Sequence, residues 1–192
     1  MIKLLKQISL AGIVLLCLIS LAGCGKKKVS AEVENMQVKP NGKILVAYYS
    51  QGGHTRAAAE DFAKMTGADL FEIKPQHPYP AAHDPCLAQQ MDDLKKDARP
   101  VVAGKVDNMD QYAILFIGYP IWYYVEPLVV DTFLESYDLK GKTVIPFCTS
   151  GGYPITDSVA RVKKAAPGAN VLNGLRANSA SDQKAYVKQL SM

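Results

Sequence analysis

The chain has 192 residues, a formal net charge of +4 at pH 7 and 48% apolar residues. That length suits about one domain with a single well-filled core. The charge is too small to argue for nucleic acid, and no basic face interleaved with aromatic residues occurs.

Lys3 and Lys6 precede an apolar run from Ile8 to Ala22 that ends in Leu21-Ala22-Gly23-Cys24. A basic start, a short apolar middle and small residues before the cut are the parts of a secretory signal. The run is shorter than the ~20 residues a membrane span needs. Leu-Ala-Gly-Cys resembles the bacterial lipobox, which implies that Cys24 carries lipid and becomes the new N-terminus. Residues 1–23 are therefore expected to be a signal peptide, 24–41 a lipid-anchored tether and 42–192 the folded domain, held at a membrane outside the cytoplasm. Loss of Lys3 and Lys6 lowers the net charge to +2. Lys26-Lys27-Lys28 either touches anionic headgroups, at about 1 kcal/mol each, or begins a solvated spacer. Of the four cysteines, Cys86 and Cys148 remain in the domain, and they are expected to be unpaired.

The first strand, Ile44 to Tyr49, is continuously apolar, as in a strand buried on both faces. It breaks at Ser50-Gln51-Gly52-Gly53, and a helical pattern with Ala58, Ala59, Phe62 and Ala63 on one face follows directly. Residues 68–74 alternate and read as an edge strand. Pro75 to Pro80 is a loop, and Asp84-Pro85 is a cap and first-turn proline for a helix carrying Leu87, Met91, Leu94 and Ala98 inward. Tyr112 to Tyr119 is a second central strand, followed by a loop with the only tryptophan, Trp122, and a helix from Pro127 to Tyr137. Thr143 to Ser150 is the next strand, with Pro146 an irregularity inside it. A glycine-rich loop, a helix ending at Pro167-Gly168, a short strand over 170–175 and a helix begun by a Ser179-x-x-Asp182 capping box complete the chain. Strand and helix alternate five times, which predicts a three-layer α/β fold: a five-stranded parallel sheet with helices on both faces.

In such sheets ligands sit at the carboxyl ends of the strands. Three loops there are chemically unusual. Ser50, Gln51, Gly52, Gly53, His54 and Thr55 join a buried strand to a helix N-terminus, where hydroxyls, free N–H groups and the helix dipole suit a phosphate. The loop lacks the Gly-Lys-Ser/Thr of a Walker A motif and the spacing of the dinucleotide fingerprint. Pro120, Ile121, Trp122 and Tyr123 offer aromatic rings on which a flat ligand could stack. Thr149, Ser150, Gly151, Gly152 and Tyr153 offer hydroxyls, amides and a second wall.

Ser-x-x-Gly-x-Thr after a first strand resembles the phosphate loop of the flavodoxin-like family, with Gly52 standing where a hydroxyl residue is usual. The resemblance runs from about Lys43 to the C-terminus. It implies that FMN is the cofactor, with its phosphate, isoalloxazine and pyrimidine edge at the three loops in turn. It also implies the 2-1-3-4-5 strand order, for which flavodoxin is a standard example. Members that favour one-electron chemistry often carry a flexible glycine beside the flavin. Trp122 to Val125 has none, and positive φ is costly at tyrosine, so two-electron, reductase-type traffic with quinone or NAD(P)H is expected, unless Gly151-Gly152 supplies the flexible carbonyl and the protein is an electron carrier.

The leading expectation is thus an FMN-dependent redox protein with an unidentified redox partner, a homodimer being left open. The alternative is a binding or regulatory module of the same fold without flavin. A receiver domain is disfavoured because Tyr49-Ser50 and Tyr119-Pro120 stand where aspartates would hold magnesium. A serine hydrolase is disfavoured because no Gly-x-Ser-x-Gly elbow occurs. No catalytic side chain and no metal ligand is assigned.

Overall fold

The computed structural model describes residues 41–191. The expected signal peptide, Cys24 and all of the tether but Asn41 lie outside them. Strands β1 (Lys43–Tyr48), β2 (Asp69–Glu72), β5 (Tyr112–Pro120), β6 (Thr143–Thr149), β7 (Asn170–Val171) and β8 (Leu175–Arg176) form one sheet. A two-residue ribbon, β3 (Lys74–Pro75) with β4 (Val102–Ala103), lies apart and pairs antiparallel. The main sheet runs β2-β1-β5-β6, and both β7 and β8 pair with the outer side of β6. All its pairings are parallel. Read as five positions, this is the expected 2-1-3-4-5 order.

Period-two alternation in the buried strands divides the core. Leu45, Ala47 and Tyr49 of β1 and its continuation face one layer, with Leu115, Ile117 and Tyr119 of β5. Helices α2 (His83–Lys96), α3 (Leu128–Glu135) and α4 (Thr156–Ala165) contribute to that layer through Cys86, Val129, Phe133, Val159 and Val162. Val46, Tyr48, Ile114, Phe116, Ile145 and Phe147 face the other layer. There α1 (His54–Thr66) and α5 (Ala180–Gln189) supply Ala58, Ala59, Phe62 and Tyr186. Phe62 lies 5.2 Å from Phe116 and 4.8 Å from Phe147, ring centre to ring centre. Gly118 on β5 makes room for this cluster, because a Cβ there would sit 2.1 Å from the Phe147 ring.

Pro146 has a local cause. The carbonyls of Val144 and Cys148 accept from Leu172 and Ala177, at 2.9 and 2.7 Å. Residues two apart in a strand point the same way, so the missing N–H of Pro146 faces the edge strand too. The edge strand is broken there, into β7 and β8 around Gly174 at φ +74°. A proline in a near-central strand is tolerated because its neighbour has no acceptor in register. The single short strand expected over 170–175 is thereby corrected to two fragments.

Two details of the α2 region also differ from the sequence reading. The helix begins at His83 with no side-chain cap, and the Asp84 carboxylate pairs with His83 Nδ1 at 2.8 Å instead. Its buried residues are Cys86 and Gln90, while Leu87, Met91, Leu94 and Ala98 are only half-buried. Gln90 turns inward, its amide donating to the Glu126 carbonyl oxygen at 2.9 Å, so the buried face is centred on Cys86 and Gln90 rather than on the apolar stripe. Cys86 and Cys148 are free and buried. Ser179 caps α5 as expected, accepting from the Asp182 N–H at 3.2 Å.

Candidate functional site

The three loops converge on one cleft of about 1010 Å³ at the carboxyl edge of the sheet. Gln51, Gly52, His54, Pro120, Ile121, Trp122, Tyr123, Thr149, Ser150, Gly151 and Tyr153 line it, each a sequence expectation. Ser50, Gly53, Thr55 and Gly152 are not on its wall.

The first loop is organised by Ser50, whose Oγ accepts from the Gly53 N–H at 3.1 Å and the Arg56 N–H at 3.2 Å. Ser50 thus plays the part of a cap for α1, which has no cap from the residue that precedes it. Gly53 holds φ +88° with open space where a Cβ would be. Among the described residues, the N–H groups of Gly52, His54 and Thr55 have no protein acceptor. Free amides at a helix N-terminus, behind an open glycine turn, form an anion cradle. Thr55 is buried, and its hydroxyl bonds the Thr149 hydroxyl at 2.8 Å. In such a pair only one proton lies between the oxygens, so the other O–H remains free to donate.

The second loop is a tight two-residue turn. Trp122 and Val125 exchange backbone bonds of 2.8 and 3.2 Å, and Tyr123 and Tyr124 have φ of +46° and +70°. Positive φ at both central positions is type I′ geometry, which normally selects Asn-Gly. Positive φ is costly at tyrosine and not expected here, yet the turn adopts it twice. That expectation is corrected. The Ile121 N–H donates to the Thr149 carbonyl at 3.0 Å, fixing the second loop to the third. Trp122 stands edge-on to Tyr49 and Tyr79, with ring centres 5.6 and 5.2 Å away. Burial pushes the Tyr49 and Tyr79 phenols up, so both stay neutral. The indole is therefore braced on apolar rings while still lining the cleft.

The third loop is locked from outside. Asn178 accepts from the Ser150 N–H at 3.1 Å and donates to the Ser150 carbonyl at 2.7 Å. Ser150 Oγ donates to the Tyr153 carbonyl at 2.6 Å, and Tyr153 meets Tyr124 at 4.6 Å across the rim.

Sequence reasoning missed two further walls: Ala81, His83, Cys86 and Leu87 on one side, Ala177, Asn178 and Gln183 on the other. The second follows β8 of the parallel sheet, so it must leave at the carboxyl edge, whereas the first comes only after the ribbon strand β3. For the second wall that topological signal was available.

The Flavodoxin family profile matches residues 43–190. The chain belongs to the flavodoxin family. Among solved structures, the fold is similar to that of a candidate flavoprotein from Bacteroides eggerthii, at 38% identity and a TM-score of 0.69, over 79% of this chain and 99% of that one. A second candidate flavoprotein, from Bacteroides uniformis, matches at 34% identity and a TM-score of 0.69, covering 77% and 98%. A flavoprotein from Lactobacillus acidophilus, solved in complex with FMN, shares the fold at 23% identity and a TM-score of 0.66, over 79% and 99%. No curated protein matches the chain. The cleft lies at the switch point between β1 and β5, where ligands of open parallel sheets bind.

Proposed function

We propose that the protein is an FMN-binding redox protein, anchored by lipid on Cys24 at the outer side of a bacterial membrane, that works as a two-electron reductase. The observation that carries the cofactor is the cradle of free Gly52, His54 and Thr55 amides, of which Gly52 and His54 line the same cleft as Trp122. One end suits a phosphate and the other a flat ring. FMN supplies the electron-accepting ring when bound. The chain's own residues bind and orient it. The cradle takes the phosphate, Trp122 braces one side of the ring, and the loop from Thr149 to Tyr153 presents amides and hydroxyls to its polar edge. The packed wall of Tyr49, Tyr79 and Ile121 keeps water from the inner side.

The reductase reading rests on space. The cleft is at the upper end of the ~300–1,000 Å³ range usual for a single small-molecule site, and Tyr123, Tyr124 and Tyr153 stand exposed around its mouth. A second planar reactant has room there. Mixing the FMN-loaded protein with NADH or NADPH and a soluble quinone tests this: steady consumption of the nicotinamide supports a reductase. Reduction only by another redox protein would make it a carrier.

The anchor makes a separate prediction. Cys24→Ala is expected to move the protein from the membrane fraction to the soluble fraction, since one thioether site carries the attachment. Unchanged membrane retention after that replacement would require another anchor.

A further inference from the structure

Directly behind the Trp122 turn lies a buried polar cluster that the binding site does not use. Glu126 has no exposed surface and Asp131, in the first half of α3, has almost none. A single cation, Arg161 of α4, serves both: its Nε donates to Glu126 Oε1 at 2.7 Å, and its other arm donates to Asp131 Oδ2. The remaining oxygens, Glu126 Oε2 and Asp131 Oδ1, are buried without a donor. Both carboxyls are thus drawn to the one guanidinium, each with an oxygen left over. Two buried anions against one cation are costly; a single proton held by the pair leaves one negative charge for one guanidinium.

We propose that Glu126 and Asp131 share a proton that holds the Trp122–Val125 turn in its cleft-forming shape, so that Glu126 is a positioning residue making the cofactor site sensitive to pH. Glu126 follows Val125, which closes the turn, and its carbonyl is held by Gln90 of α2. Losing the proton leaves two buried anions against one cation. The relief is for Glu126 to swing toward water, and that pull opens a turn already strained at Tyr123 and Tyr124.

The neighbours agree with this assignment. From β5, the Tyr119 hydroxyl bonds Ser158 of α4 at 3.1 Å, and burial first, then the nearby carboxyls, keeps its phenol neutral. From α2 the neutral Gln90 amide donates to the Glu126 carbonyl oxygen, and Asp93, its Oδ2 buried without a partner, acts on Tyr79 as Asp131 does. Burial, and then the charge of Asp131, pushes the Glu126 carboxyl up to about 8. Proton loss therefore falls above the ordinary carboxyl range. By linkage the folded chain holds this proton from the ordinary carboxyl range up to about 8 while the unfolded chain has released it. Stability thus falls as pH rises through that window and levels off above it.

The only tryptophan in the chain reports the turn directly. In the detergent-solubilised full-length apo-protein, Trp122 emission is expected to shift with a midpoint between about pH 7 and 9, and Glu126→Gln is expected to abolish the shift. The same transition in Glu126→Gln, or none in the wild type, overturns the proposal. If that variant does not fold, as judged by circular dichroism, Asp131→Asn serves instead: its midpoint must fall well below that of the wild type, and an unmoved midpoint also overturns the proposal. A second arm rests on the FMN reading. FMN affinity should fall about tenfold between neutral and alkaline pH in the wild type and stay flat in Glu126→Gln, the size expected if the cofactor raises the shared proton's pKa by one unit. Because the emission arm uses no flavin, failure to bind FMN would sink the functional reading while leaving this one standing.

Discussion

Gly118→Ala is expected to destabilise the protein by about 3 kcal/mol, the upper end of the usual overpacking cost. The added methyl would fall 2.1, 2.5 and 2.8 Å from three atoms of the Phe147 ring. That ring cannot give way cheaply, because Phe147 is fully buried and packed against Phe62. Nor can the backbone, since Gly118 pairs with β1 on one side and β6 on the other. Urea unfolding measures the loss as a lower midpoint. Phe147→Leu in the same chain should restore part of it, because neighbours competing for one volume are not additive. A midpoint within ~0.5 kcal/mol of the wild type, the range of an ordinary surface change, would show that the two sheet faces are packed differently.

Thr55→Ala is expected to weaken FMN binding ten- to a hundredfold, corresponding to the ~1–3 kcal/mol of a hydroxyl bonded to a charged group. The structure adds a reason to the loop position. Thr55 and Thr149 bond one another at 2.8 Å and so join the first loop to the third. With one proton engaged between them, the pair has one O–H left for a phosphate oxygen. Riboflavin, which lacks the phosphate, should lose much less. Equal losses for the two flavins, measured by titration, would mean that the hydroxyl pair acts only by holding the loops together.

The parts of this account that the sequence made legible were those governed by period and by punctuation. Continuous apolar runs located β1, β5 and β6, and Gly52-Gly53 and Gly151-Gly152 located two of the three loops. Trp122 could be placed on the cleft because its loop leaves the carboxyl end of a buried parallel strand, where ligands sit. What could not be read depended on partners distant in the chain. The buried face of α2 is set by Gln90 reaching Glu126, 36 residues on. Pro146 makes sense only beside the break between β7 and β8, and Asn178 both lines the cleft and holds Ser150 from 28 residues away. The positive φ of Tyr123 and Tyr124 runs against residue preference, and such conflicts gather where a site needs a shape the local sequence disfavours.

The central claim is that the cradle and the Trp122 turn together form one FMN site. Titrating the purified protein with FMN while following Trp122 emission tests it most directly, with riboflavin as the comparison. The account predicts saturable quenching at one FMN per chain and clearly weaker binding of riboflavin. An unchanged Trp122 signal, or identical binding of the two flavins, would contradict it.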